Sequence, residues 1–249
     1  MSRPPLVFSK TLIDGGEARR LEWLHRMTLP WDSNTWEIAA RIAQDQHRKV
    51  AASMTQAAIF HAGGGTTVEP PLALRAVAEK AQLLLQAVIV PGERTDEGKL
   101  VEAVAIPWFD IVALLAKDPN FAFEIPPDKW EEIVAGAYRK AGFEEVTLTP
   151  RSGDHGRDVI AVKRALGAVR VIDQVKAFKP PRLVTANDVR ALMGVLQTDG
   201  ASKGFVTTTS DFAPRIQTDP LIKPLFGKQL QLINGTELIE RLNEVAQRR

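Results

Sequence analysis

Apolar positions between residues 127 and 141 recur at three- and four-residue spacings, which is the pattern of an amphipathic helix. Trp130 and Ile133 belong to this apolar stripe. Pro127 suits the first turn of such a helix, and Gly142 suits the position just after its end. The sequence therefore predicts a helix over 127–141.

Short runs of β-forming residues follow this helix and predict strands. The predicted strands cover residues 143–149, 159–162, 169–175 and 204–209. Before the last strand, Thr185 and Asp188 form a sequence typical of a capping box, which predicts a helix from there through Leu196. The order of helix, three strands, helix and strand predicts an α/β sandwich with a mixed central sheet.

Residues 1–118 have a composition and a spacing of apolar residues that favour helices. The predicted helices cover residues 17–27, 35–60, 72–90 and 107–117. Three prolines within 118–127 mark the predicted linker. The sequence thus predicts a mainly helical domain over 1–118, of unknown role, and a separate α/β domain over 119–249.

Composition limits the kind of protein this can be. Cysteine is absent, so disulfides and cysteine-ligated zinc are excluded, and a reducing cytoplasm is the expected location. No apolar run is long enough to span a bilayer, and the first residues lack the apolar core of a signal peptide. We therefore expect no membrane partner.

The net charge of +2 is unevenly distributed along the chain. Residues 1–125 hold 13 basic and 15 acidic side chains, whereas residues 126–249 hold 19 and 15. The second half is the basic half, which is the right sign for binding a phosphate backbone. Ordinary surface charge explains the same difference equally well.

Candidate chemistry lies at the ends of two predicted strands. Asp158 leads into one strand, and Gln174 and Lys176 lie near the end of the next. Side chains two residues apart in a strand point to the same side, about 6–7 Å apart. If the two strands pair, a carboxylate, an amide oxygen and an ammonium group converge on one point, where they can hold a divalent cation and position a water beside a phosphate.

The chain resembles a known family over residues 126–240. The matching pieces are 130–135, 141–143, 149–158, 174–176, 203–212 and 232–238. Together they resemble the Mrr-like branch of the PD-(D/E)XK nucleases, which have the restriction-endonuclease fold. In this branch a glutamine replaces the acidic residue of the (D/E)XK element, and Gln174-Val175-Lys176 has that form.

The resemblance implies a magnesium-dependent catalytic site, with manganese as a possible substitute. Asp158, Gln174 and the backbone carbonyl of Val175 would hold the metal. Lys176 would orient the attacking water or help to deprotonate it. Glu131, which follows Trp130 as in the family's aromatic-Glu pair, would add a second carboxylate, with its neighbour Glu132 as the alternative.

Double-stranded DNA is the partner that the resemblance implies. The candidate DNA-contacting residues flank the site and are Arg151, His155, Arg157, Lys179, Arg182 and Ser210. Cleavage of both strands needs two active sites, so we expect a homodimer or a higher homo-oligomer. No P-loop sequence occurs, so no nucleotide cofactor is expected.

Three functions stay open at this point. The first is a metal-dependent DNA endonuclease that restricts foreign or modified DNA. The second is a structure-specific repair or recombination nuclease, similar to a junction resolvase. The third is a catalytically inactive DNA-binding module, because Asp158 alone is also typical of a turn and Lys176 of a solvated strand edge.

Overall fold

The computed structural model describes residues 72–150, 157–164 and 167–248, with side chains from residue 75 onward. Residues 79–249 form one compact unit, and residues 1–78 are grouped apart from it. The helices predicted over 17–27 and 35–60 lie outside the described residues. Among the helices that the structure does describe, none is both long and apolar enough to cross a membrane.

Helices and strands alternate along most of the described chain. The helices are α1 (Leu72–Leu85), α2 (Ile106–Lys117), α3 (Pro127–Lys140), α4 (Ala186–Asp199) and α5 (Gly235–Gln247). The strands are β1 (Ile89–Thr95), β2 (Gly98–Val104), β3 (Glu145–Leu148), β4 (Val159–Arg164), β5 (Ala168–Lys176), β6 (Lys203–Thr208) and β7 (Leu230–Ile233). Two short 3-10 helices cover Pro119–Phe123 and Ile216–Thr218.

The strands form one mixed sheet in the order β1 to β7. Strands β1 to β5 pair as antiparallel neighbours, whereas β5, β6 and β7 run parallel. Parallel neighbours need a crossover connection, and α4 provides the one between β5 and β6. The C-terminal ends of β5, β6 and β7 therefore lie at the same edge of the sheet, which we call the site edge.

Helices cover both faces of this sheet. On one face, the Tyr138 hydroxyl of α3 donates to the Asp173 carboxylate of β5 at 2.9 Å, and α5 packs beside α3 and α2. On the other face, Ile172 belongs to the same buried cluster as Val189 and Leu192 of α4. Adjacent residues of β5 thus face different helices, as strand alternation requires.

Helix α3 is held in place by two buried tryptophans. The Trp108 indole of α2 donates to the Ile133 carbonyl at 2.9 Å, and the Trp130 indole donates to the Ala122 carbonyl at 3.1 Å. A side chain on Gly136 would place its Cβ 2.8 Å from the Trp108 ring, so only glycine permits this close packing. These contacts fix α3 against the sheet.

The predicted fold is confirmed for the α/β part of the chain. The predicted helices at 127–141 and 185–196 correspond to α3 and α4, and the four predicted strands correspond to β3, β4, β5 and β6. The Thr185 side chain accepts a hydrogen bond from the Asp188 amide and completes the predicted capping box. The result is a mixed sheet between helical layers.

The helix predicted over 72–90 is confirmed up to Leu85 and wrong after it. Helix α1 ends at Leu85, and β1 begins at Ile89 and forms a hairpin with β2. The β-branched run at 88–90 favours a strand, and Val88 and Ile89 are buried there. Gly98 permits the close approach of β2 to β3, because a Cβ there would lie 2.1 Å from the Leu148 carbonyl oxygen.

The predicted linker at 118–127 is packed structure rather than a break between compact units. Pro119–Phe123 is a 3-10 helix that buries Phe121, and Asp118 forms a 3.0 Å ion pair with Lys80. Prolines here begin helices, since Pro119 and Pro127 lie at or next to first helical positions. Strand β2 also pairs with β3, so the compact unit reaches back to residue 79 instead of starting at 119.

Two further elements were not predicted from the sequence. Strand β7 adds the last parallel neighbour to the sheet, and α5 follows it directly. The Asn234 side chain caps α5 by accepting a 3.0 Å hydrogen bond from the Glu237 amide. This Asn-Gly-Thr-Glu sequence was the signal for a helix start.

Candidate active site

Asp158 lies at the entry to β4, across from the end of β5. Its backbone amide donates to the Asp173 carbonyl at 3.1 Å. Its carboxylate Oδ2 accepts a hydrogen bond from the Val175 amide at 2.6 Å. The register pairs Val159 with Asp173, which places Asp158 opposite Gln174 on the same face of the sheet. The carboxylate and the glutamine are therefore cross-strand neighbours.

Gln174 brings a buried amide oxygen to this point. The residue is 4% exposed, and its Oε1 atom has no hydrogen-bond partner among the described residues. Burying a polar oxygen without a partner costs free energy, so this atom is available to a ligand that can reach it. A cation beside Asp158 would satisfy this oxygen.

Lys176 ends β5 on the same face as Gln174. Its backbone carbonyl accepts hydrogen bonds from the Phe178 amide at 2.8 Å, the Thr209 amide at 3.3 Å and the Thr208 hydroxyl at 2.8 Å. Three donors on one carbonyl fix the backbone from which the lysine side chain extends. The backbone at Lys176 is thus held by the end of β6.

Helix α4 begins close to this lysine. Burial raises the pKa of the Asp188 carboxyl, but hydrogen bonds from Thr185 and the charges of Lys176 and Arg182 together hold the pKa below its usual value. Both cations therefore lie near the first turn of α4. The site edge is lined on this side by positive charge.

Glu131 lies on α3, in the layer that covers the opposite face of the sheet, and is half-buried. The short link at 141–144 joins the end of α3 to the start of β3, which runs parallel to β5 toward the site edge. The N-terminal half of α3, with Glu131, therefore lies toward that edge. Its part in the site stays a prediction, and Glu132 instead forms a 2.7 Å ion pair with Lys129.

A second aspartate of this region, Asp173 on β5, was not identified from the sequence. Asp173 is 1% exposed, and its Oδ2 accepts hydrogen bonds from the Tyr138 hydroxyl at 2.9 Å and the Thr207 hydroxyl at 3.0 Å. Burial raises the pKa of Asp173 to about 7, hydrogen bonds from Thr207 and Tyr138 oppose the shift, and the nearby Asp158 carboxylate adds to it. Its contact with Tyr138 spans 35 residues, so no local pattern indicated it.

The donor set at the site edge fits a hard divalent cation. Such ions prefer oxygen ligands and keep several waters, so one carboxylate with neutral oxygens is sufficient. The structure offers the Asp158 carboxylate and the buried Gln174 Oε1 as neighbours. Within the described ranges, no group of three or more His, Cys, Asp or Glu side chains could hold a metal.

The predicted DNA contacts fall into three groups. Arg151 and His155 lie outside the described residues. Lys179 and Arg182 are exposed on the segment that follows β5, and the Arg182 guanidinium stacks on the Phe178 ring at 3.7 Å. Ser210 is 8% exposed, and its hydroxyl donates to the Arg182 carbonyl. No contact with DNA is tested by these placements.

Arg157, the remaining predicted DNA contact, belongs to a charged cluster. It forms a 2.8 Å ion pair with Asp199 at the end of α4. The other oxygen of Asp199 accepts from Arg170 at 3.0 Å, and Arg170 also binds Glu97 in the β1–β2 turn at 2.6 Å. Hydrogen bonds with Glu97 and Asp199 raise the pKa of Arg170 despite its partial burial. The cluster ties three elements to the residue next to Asp158.

Residues 123–242 match the family model Mrr_cat, described as a restriction endonuclease. This region therefore carries a restriction endonuclease domain, and the resemblance inferred from the sequence is confirmed. No curated protein matches the chain.

Two solved structures are similar to the chain. One is the MspJI restriction endonuclease in complex with a 27-mer oligonucleotide, with 20% identity, a TM-score of 0.37, and coverage of 59% of this chain and 34% of that one. The other is the DNA modification-dependent restriction endonuclease AspBHI, with 16% identity, a TM-score of 0.34, and coverage of 73% and 46%. This chain thus spans less than half the length of either protein.

Proposed function

We propose that this protein, with its restriction endonuclease domain at 123–242, is a metal-dependent DNA endonuclease that restricts foreign or modified DNA in the cytoplasm. Restriction endonucleases generally use divalent metal ions. Magnesium is the ion we propose, with manganese as a substitute. Double-stranded DNA is the proposed substrate, and a homodimer is the proposed active form, because two sites are needed to cut two strands.

One observation carries this proposal. The Asp158 carboxylate is fixed by the Val175 amide at 2.6 Å, directly across from the buried and unpartnered Gln174 Oε1. Both groups share their face of the sheet with Lys176. A carboxylate, an amide oxygen and an ammonium group at one strand end have the chemistry to bind a cation and a phosphate together.

Each side chain has a distinct role in this proposal. Asp158 and Gln174 hold the ion, with the Val175 carbonyl as a further oxygen ligand. When bound, the ion supplies Lewis-acid chemistry, since it acidifies a water and stabilises charge on the departing oxygen. Lys176 orients the attacking water, takes part in its deprotonation and attracts the scissile phosphate. Glu131 adds negative charge from α3.

The glutamine has a physical consequence for metal binding. An amide in place of a carboxylate removes one negative charge from the ligand set, so the ion should bind more weakly than at a site with two carboxylates. The DNA phosphate and Glu131 then supply the missing charge. We therefore propose that metal and DNA bind cooperatively at this site.

Cleavage of plasmid DNA tests the proposal. Purified full-length protein is incubated with methylated and unmethylated plasmid, and separately with a four-way junction, in Mg²⁺, Mn²⁺ or EDTA. We expect cutting of plasmid with Mg²⁺ or Mn²⁺ and none with EDTA, and we expect Asp158→Ala and Lys176→Ala to abolish it. Lys203→Ala is the matched control, because Lys203 begins β6 at the opposite edge of the sheet.

Each result has a defined reading. Normal cutting by Lys176→Ala would refute the role of the lysine. Preferred cutting of the junction would favour a repair or recombination nuclease. Binding of DNA without any metal-dependent cutting would favour an inactive binding module. As a readout besides activity, Mg²⁺ should raise the unfolding midpoint of the wild type but not that of Asp158→Ala.

A further inference from the structure

Three consecutive hydroxyl residues follow one another at the end of β6, and all of them are buried. Thr208 is 0%, Thr209 5% and Ser210 8% exposed. Their hydroxyls donate to three backbone carbonyls of the neighbouring segment: Lys176 at 2.8 Å, Phe178 at 2.7 Å, and Arg182. We call residues 208–210 the hydroxyl ladder. Each of these hydrogen bonds joins residues at or just after the end of β6 to the end of β5 or to the segment that follows it.

The segment that the ladder holds is the loop at 177–183, which we call the basic loop. Its N-terminal end is fixed at Lys176, whose carbonyl accepts from Thr208 and Thr209. Its C-terminal end is fixed at the fully buried Val184, whose amide donates to the Asp211 carbonyl at 2.9 Å and whose carbonyl accepts from the Ala213 amide at 2.8 Å. The loop is thus anchored at both ends and bonded in between.

The outer side of the basic loop is exposed and positively charged. Residues 179–183 are all exposed, and they include Lys179 and Arg182. The Arg182 side chain lies over the Phe178 ring at 3.7 Å, an arrangement that holds a guanidinium group in place. No acidic residue occurs in the loop. Arg182 exerts an electrostatic influence on Asp188, in the first turn of α4.

We propose that the hydroxyl ladder holds the basic loop in one conformation, so that Lys179 and Arg182 form a preorganised binding site for DNA phosphates beside Lys176. Thr209 and Ser210 are then positioning residues that act through Lys179 and Arg182 without contacting DNA themselves. This inference rests on the proposed function, because it assumes that DNA lies along the site edge. It adds a reason for the buried hydroxyls that a catalytic role does not give.

Preorganisation has a physical benefit for phosphate binding. A flexible seven-residue loop would lose conformational freedom when it bound DNA, and this loss would weaken the binding. Hydrogen bonds that fix the loop in the free protein remove that loss before DNA arrives. Removing one of these hydrogen bonds should therefore weaken DNA binding even though the removed hydroxyl never contacts DNA.

A double-mutant cycle on DNA affinity tests the proposal. Ser210→Ala is made in the wild type and in a Lys179→Ala, Arg182→Ala background, which keeps the Arg182 carbonyl that the serine contacts. The dissociation constant for a labelled duplex is measured by fluorescence anisotropy in EDTA, so that cleavage plays no part. We expect Ser210→Ala to raise the constant about five- to tenfold in the wild type, as expected for one hydrogen bond, and less than about twofold in the background.

Thr207→Val is the matched control. Thr207 precedes the ladder on the same strand, is 1% exposed, and donates its hydroxyl to Asp173 on the other face of the sheet. We expect Thr207→Val to lower the unfolding midpoint at least as much as Ser210→Ala while leaving the dissociation constant within about twofold of the wild type. Thr209→Val, which removes the bond to Phe178, should behave like Ser210→Ala.

Hydrogen exchange reports the loop directly. Amides of residues 177–179, 182 and 183 should exchange faster in Ser210→Ala and Thr209→Val than in the wild type and in Thr207→Val. Equal losses of affinity in both backgrounds of the cycle would overturn the proposal, as would unchanged affinity in a folded Ser210→Ala protein. A wild type that neither binds DNA in EDTA nor cuts it with Mg²⁺ would instead refute the proposed function, so the two failures are distinguishable.

Discussion

The backbone amide of Asp158 donates to the backbone carbonyl of Asp173, yet the surroundings of the two side chains differ completely. Asp173 is sealed under α3, where two hydroxyls donate to it. Asp158 lies half-buried just before β4, where the Val175 amide holds its carboxylate. Across from it lies the buried Gln174 Oε1, which has no hydrogen-bond partner among the described residues. Side-chain alternation on β5 separates the two surroundings, since Asp173 and Gln174 are adjacent but face different helical layers.

The comparison teaches that position along the chain does not identify which acid faces the proposed site. Both aspartates are acidic residues beside the Gln-x-Lys element, and only the face on which each lies distinguishes them. The buried one supports the strand that carries the site, and the half-buried one presents its carboxylate at the site edge. The following substitutions test whether the structural role of Asp173 can be separated from the proposed metal-binding role of Asp158.

The largest expected effect is on cleavage. Asp158→Asn should lower the single-turnover cleavage rate by about 1,000-fold, because it removes the one carboxylate that the β4–β5 pair offers to the ion. Asp173→Asn should keep the rate within about tenfold of the wild type, since an asparagine oxygen still accepts from Tyr138 or Thr207. Equal losses in the two variants would show that the two roles are not separable.

The next effect concerns stability and pH. The Asp173 carboxyl has a pKa of about 7 in the folded protein, against 3.8 for the unfolded chain. Between these values the folded state binds the extra proton, so the free energy of unfolding falls as pH rises. Urea unfolding at pH 5 and pH 8 should show a fall of about 3 kcal/mol that Asp173→Asn removes. A variant with the wild-type pH dependence would refute this assignment.

Tyr138→Phe should have a smaller effect. It removes one of the two donors to the buried Asp173 but keeps the ring contacts with Phe143 and Phe205. We expect a loss of about 1–3 kcal/mol in the free energy of unfolding, measured in urea at pH 8. The Mg²⁺ concentration that gives half-maximal cleavage should not change, and a shift in that concentration would link Tyr138 to the metal site.

The smallest effect expected is on metal affinity. Gln174→Glu restores a second carboxylate opposite Asp158, so the Mg²⁺ concentration for half-maximal stabilisation against heat should fall by about tenfold. Gln174→Leu, which fills similar space without an oxygen, should abolish the stabilisation by Mg²⁺. Unchanged metal dependence in both variants would place the ion away from this glutamine.

The sequence predicted those elements whose residue patterns are local. Helix α3 and strands β3 to β6 have clear periodicities, and side-chain alternation along β5 puts Ile172 and Asp173 on opposite faces. The same local patterns place Gln174 and Lys176 together at the strand end. These predictions needed no knowledge of distant contacts.

What the sequence did not predict depends on contacts between distant segments. The apolar run before Pro91 directly follows α1, and its pairing with β2 makes it a strand instead of a continuation of the helix. Thr208 and Thr209 continue a run of β-branched residues in the sequence, and Ser210 follows them. The carbonyl groups to which their hydroxyls donate lie 28 to 32 residues away along the chain. The hydrogen bond from Tyr138 to Asp173 was not predicted for the same reason.

The cluster of Glu97, Arg157, Arg170 and Asp199 carries no net charge, because two arginines balance two carboxylates. Salt screens exposed charges that face a polyanion far more than it screens partly buried pairs that already neutralise each other. At ionic strengths that dissociate DNA from the proposed site at Lys179 and Arg182, the ion pairs of this cluster should stay formed. The backbone that precedes Asp158 would then keep its geometry through every cycle of DNA release and rebinding.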